Sequence, residues 1–90
     1  MDRVEYIING RYSDGEFLDE ISDLDDQELD YLLNETKRVL DGAKAKIVGA
    51  KKKFIKTGIA ADPEWFSKCK AVVNIRKKHI LMIEREVSLR

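Results

Sequence analysis

Residues 54–66 read Phe54-Ile55-Lys56-Thr57-Gly58-Ile59-Ala60-Ala61-Asp62-Pro63-Glu64-Trp65-Phe66. Gly58 suits the left-handed residue that closes a helix. Asp62 offers a carboxylate to the orphan amides of a new helix, Pro63 suits its first position and Glu64 favours its dipole. A helix ending near residue 57 and another starting at 63, joined only by Gly58–Ala61, must double back as an antiparallel hairpin.

Upstream, Asp25-Asp26-Gln27-Glu28 carries a helix start: Asp25 caps, Glu28 reaches back, and Leu24 staples onto Leu29. No Pro intervenes before Pro63, so one helix is expected over residues 25–58 with its caps, its helical part from about 26 to 57 being ~48 Å long at 1.5 Å per residue. Downstream the second helix runs over 62–90. Leu29, Leu33, Thr36, Leu40, Ala43, Ile47, Ala50 and Phe54 alternate steps of four and three, the seam of a coiled coil. Phe66, Cys69, Val73, Arg76, Ile80, Ile83 and Val87 keep the same rhythm. Folding at residue 60 sets Phe54 on Phe66, Ile47 on Val73, Leu40 on Ile80 and Leu33 on Val87. Ala43 then faces Arg76, whose stem can cross the seam with its head in water.

Before the hairpin lies an acidic segment, residues 1–24. Ser13-Asp14-Gly15-Glu16 has the spacing of a capping box and opens a short helix over about 14–22 that carries Phe17, Leu18 and Ile21. The first twelve residues admit two readings. Val4, Ile7 and Ile8 fit a short helix, whereas Ile8-Asn9-Gly10-Arg11 holds the Asn-Gly of a tight β-turn. The expected fold is all-α, one helical domain over 1–90: a long antiparallel hairpin, coiled-coil-like, behind a short acidic helix.

Composition limits the function. The chain has 90 residues, with seventeen Lys and Arg against seventeen Asp and Glu, 43% apolar residues and a single cysteine. Such a domain hides roughly 64% of its unfolded surface, so its core is thin. A disordered tail and a two-domain enzyme are excluded. Cys69 alone forms no internal disulfide, which fits a reducing, cytoplasmic setting. Met1-Asp2-Arg3 opens no export signal, and no apolar run approaches the ~18 residues of a membrane span.

The balanced charge conceals a division. Residues 1–42 hold thirteen acidic and four basic side chains, and residues 43–90 hold four and thirteen. Lys51, Lys52, Lys53 and Lys56, with Lys68 and Lys70 across the turn and Lys77 beyond, make the hairpin's tip basic. This patch suits nucleic acid or an acidic protein. A second stripe on the last helix, Val72, Ile75, Met82 and Leu89, exceeds what one partner helix covers; some falls under Phe17, Leu18 and Ile21, and the rest calls for another chain. Trp65, off the seam in the first turn, covers the hairpin's end or anchors an interface. Gly42, Ala43, Ala45, Gly49 and Ala50 thin the long helix, either for close approach to the last helix or as a flat groove for a partner helix.

No catalytic, cofactor or metal site is expected. His79 stands alone, so it reads as solvated or structural. Cys69 sits on the seam as a core residue, the Asp23–Glu28 run is capping chemistry without the glycine of a calcium loop, and the sequon at Asn34 falls inside a helix. Size and end-to-end helicity are similar to those of small accessory proteins of phages and mobile elements, a likeness carried by no motif. The expected function is a non-enzymatic protein-binding or regulatory, even inhibitory, protein that assembles as a homodimeric helical bundle. The alternatives are a nucleic-acid-binding accessory protein using the basic tip, or an acidic DNA mimic using Asp14–Asp30.

Overall fold

In the computed structural model, which describes residues 2–90, the chain forms four helices: α1 (Asp2–Asn9), α2 (Asp14–Ser22), α3 (Asp26–Thr57) and α4 (Pro63–Ser88). No strand occurs among the described residues, so the fold is all-α. Local chemistry sets each boundary. The Ser13 hydroxyl accepts from the Glu16 amide while Glu16 accepts from the Ser13 amide; Asp25 and Glu28 repeat the exchange at α3. Gly58, at φ 71°, closes α3 with its amide on the Phe54 carbonyl, and Asp62 caps α4 through the Glu64 amide.

α3 and α4 pair along their length, and the molecule measures 49 × 23 × 20 Å. α1 lies against α3, and α2 against α4, at the open end of the hairpin. This end is a closed head. Val4, Ile7, Phe17, Ile21, Leu24, Leu29, Leu32 and Ile83 form one buried cluster, with Leu33, Met82, Ile8 and Tyr12 packed on its margin. Thr36 is also buried, its hydroxyl donating to the Leu32 carbonyl at 2.7 Å.

α4 and the residue at its far end, Arg90, secure both short helices by their C-termini, where carbonyls lack helical partners. Arg76 Nη2 donates to the Ile8 carbonyl at 3.0 Å, and Arg90 Nη2 donates to the Ile21 and Ser22 carbonyls at 3.3 and 3.2 Å. Each guanidinium also meets the negative end of a helix dipole. Arg90 further pairs with Asp26 and Glu86, Lys78 with Asp14, and Arg3 with Asp23.

Of the two readings of the first twelve residues the helical one holds, and three expectations need correction. Asn9-Gly10 makes no hairpin: the Gly10 amide bonds the Tyr6 and Ile7 carbonyls and ends α1. The Tyr12 ring lies where a Cβ at Gly10 would project, so any side chain there has to displace that ring. On α3, Leu32 is fully buried and Leu33 only half-buried, since the head turns the buried face toward α1. The Arg76 head does not reach into water but caps α1. Finally, Gly42 and Gly49 do not serve close approach to α4, because a Cβ at either meets nothing within 4 Å.

Candidate functional site

Packing changes character beyond the head. The last buried residue on α3 is Ala43, and every residue from Lys51 to Ala60 is exposed. Two helices alone bury one seam between them and leave their other faces wet. On this distal arm the seam residues Ile47, Ala50, Phe66, Cys69 and Val73 are half-buried, and Phe54 is 52% exposed. Ile55 and Ile59 stand out further, at 83% and 61%. Isolated apolar residues on a surface mean little, but neighbouring ones mark contact sites.

Three shallow cavities shape the arm. At the tip, Phe54, Ile55, Pro63 and Phe66 line a volume of about 440 Å3. On another face two cavities of about 430 and 370 Å3 meet at Trp65. The first lies among Val39, Gly42, Ala43, Lys46, Lys68, Cys69 and Val72, and the second among Gly49, Ala50, Lys53, Ile59, Ala60, Ala61 and Asp62. Together they form one groove between α3 and α4. Its α3 wall, Val39, Gly42, Lys46, Gly49 and Lys53, keeps steps of three and four beside the seam.

Lys51, Lys52, Lys53 and Lys56 stand on the last turns of α3 at the tip, whereas Lys68 lies further back, beside Lys46 and Gly42. Among the described residues, Lys51, Lys52, Lys53 and Lys56 form no ion pair; Lys68 meets Glu64 at 3.4 Å, and Lys70 lies 4.8 Å from the Phe66 ring centroid. Lys77 stands apart, seven residues and ~10 Å further along α4. The acidic head neutralises the head end of α4 through Asp14 and Asp26, not the tip.

The second stripe on α4 is not one patch. Met82 packs on the head core, Leu89 is 73% exposed at the opposite end from the tip, and Val72 and Ile75 lie between. Trp65 is 39% exposed where the two groove cavities join. Val72 and Ile75 also border a more polar cavity of about 520 Å3 beside residues 8–12, with Arg76 and His79 in its wall. Burial lowers the Arg76 guanidinium below its ordinary pKa. The Tyr12 phenol is raised by burial, then by Glu20. His79 is structural: 8% exposed and stacked on Phe17, with Nδ1 buried and unpartnered.

The seam pattern concealed the exposed tip, because a heptad does not reveal how many helices share it. The groove's wall was visible as Gly42 and Gly49, seven residues apart on one helix face. Among the described residues no three His, Cys, Asp or Glu side chains converge as a metal site would require, and no helix is long and apolar enough to cross a membrane. Compared with known proteins, the chain matches no family model, no curated protein and no solved structure.

Proposed function

We propose that this chain is a non-enzymatic interaction protein in which a closed helical head presents a basic, apolar arm to a protein partner. One observation carries the reading: the buried core is confined to the head and on α3 stops at Ala43, while Phe54, Ile55, Ile59 and Trp65 stand in water close together on the arm, with no core beneath them. At about 25 cal/mol per Å2 of apolar surface, covering these side chains supplies several kcal/mol toward association.

Nucleic acid is the second reading, favoured by the unpaired lysines at the tip. The exposed aromatic and aliphatic surface between those lysines weighs toward protein, because phosphate contacts do not need it. A second copy is a further possible partner. Its acidic head can lie along the arm by charge, whereas two arms repel.

Affinity capture from the source cells, with and without nuclease, tests the reading on the intact chain and on an Ile55→Ser, Trp65→Ser double variant. A protein retained after nuclease and lost with the double variant supports the arm. Retention that disappears with nuclease replaces it with the nucleic-acid reading, and equal retention by both chains moves the contact to the head. Light scattering on the same samples reports a second copy directly.

A further inference from the structure

We infer that the groove running past Trp65 receives an acidic amphipathic helix of a partner protein, packed as a third helix against α3 and α4. This rests on the reading of the arm as the binding element and names its occupant. Shape comes first. The groove is apolar along its floor, and two glycines on its α3 wall leave open the space their side chains would take. Helices pack at 8–10 Å between axes, nearer when small residues line the contact. Trp65 stands midway and half-exposed, the placement of a central anchor.

Charge selects the occupant. Lys46 and Lys68 border one end of the groove and Lys53 the other, against the single carboxylate of Asp62. Lys68 and its helical partner Glu64 are both 76% exposed, so that pair exchanges readily for an incoming carboxylate. Between Lys44 and Lys70 the arm holds eight lysines against Asp62 and Glu64. Laying a second arm in the groove therefore brings like charges together, and a basic helix is disfavoured for the same reason. A helix with an apolar stripe flanked by Glu or Asp satisfies both the floor and the rim.

The test uses a fluorescein-labelled synthetic peptide of about 18 residues, ~27 Å as a helix, with Leu on one stripe and Glu beside it. A twin carries Lys in place of each Glu. Anisotropy titrations with the full chain should show the acidic peptide binding at least about tenfold tighter than its twin. Gly49→Leu fills the groove without changing charge and should weaken binding about tenfold, with helix content by circular dichroism unchanged. The triple variant Lys46→Glu, Lys53→Glu, Lys68→Glu should reverse the preference. Ile55→Ser, on the tip cavity, should bind as the wild type does.

Equal affinity for both peptides, or no binding of either, overturns the acidic occupant. Wild-type affinity in Gly49→Leu overturns the groove. If Ile55→Ser alone abolishes binding, the groove assignment falls while the arm remains the binding element. A dimer seen by light scattering and lost in Gly49→Leu makes the occupant a second copy, and a DNA duplex that displaces the peptide and needs Gly49 makes it nucleic acid. Either result overturns the proposal.

Discussion

The imidazole of His79 lies flat on the ring of Phe17, with centroids 3.9 Å apart and planes within 7°. This contact joins α4 to α2 and holds the only histidine of the chain inside the head. Burial lowers its pKa below the ordinary 6.5; Arg76 and Lys78 add to the lowering and Asp14 opposes it. The neutral ring is therefore the form that the fold accommodates.

Stability should follow that proton. The unfolded chain binds it near pH 6.5 and the folded chain only at lower pH, so stability is full above pH 6.5 and falls as acid is added below it. Glu16, whose carboxyl the Ser13 hydroxyl and amide hold below its ordinary 4.5, adds a loss at lower pH still. Melting temperatures at pH 7.5, 6.5 and 5.5 should decline for the wild type and stay nearly level for His79→Phe, which keeps an aromatic stack. Parallel declines in both proteins would remove His79 as the cause.

A second prediction concerns the register of α3. Leu32 is 1% exposed within the head cluster, whereas its neighbour Leu33 is half-buried at the margin. Leu32→Ala should cost about 2–5 kcal/mol in urea unfolding, as fully buried truncations do, and Leu33→Ala about 1 kcal/mol. Lys37→Ala, exposed and off both stripes, should stay within about 0.5 kcal/mol. A larger loss at Leu33 than at Leu32 would return the helix to the strict heptad.

That heptad shows what local sequence could and could not provide. Ser13 with Glu16, Asp25 with Glu28, Gly58, and Asp62 with Pro63 act within three or four residues of themselves, so every boundary from α2 onward was legible. Leu32 takes its place from α1, a helix more than twenty residues earlier whose Ile8-Asn9-Gly10 admitted two local solutions. Contacts with distant residues decide between them: Val4 and Ile7 buried in the head cluster, and the Arg76 bond to Ile8. At the arm, the lysines and glycines were legible as clusters. Their exposure was not, because it follows from there being two helices at that end and four at the other.

Arg90, two residues past the end of α4, makes a third prediction. Arg90 holds the last carbonyls of α2 and reaches Asp26 at 3.1 Å, so it ties the end of α4 to the joint between α2 and α3. Arg90→Ala should speed amide hydrogen exchange at Ile21–Leu24 while leaving the middle of α3 protected. Arg90→Lys should not restore protection, since one ammonium cannot span the carbonyls and the carboxylate as the planar fork does. Uniform exchange changes along α3 would show a global effect instead of a local tie.

The glycines make the last prediction, through the sign of one substitution at four sites. Gly42 and Gly49 lie inside α3 with open space at the Cβ position, so alanine there restricts the unfolded chain, strains nothing and should add up to about 1 kcal/mol each. Gly58 sits at φ 71°, where a Cβ crowds the following carbonyl, and alanine should cost about 1–2 kcal/mol although the space is empty. At Gly10 the backbone is unexceptional and the obstacle is the Tyr12 ring, so Gly10→Ala should destabilise the head, and less so when Tyr12 is truncated. Denaturant midpoints at unchanged slope should therefore rise for Gly42→Ala and Gly49→Ala and fall for Gly58→Ala and Gly10→Ala. The rise at residues 42 and 49 matters most, because it means the free chain forgoes stability on the face that forms the groove. A fall at Gly49→Ala would mean that its open face is occupied in solution, and the helix that fills it would then be the first thing to find.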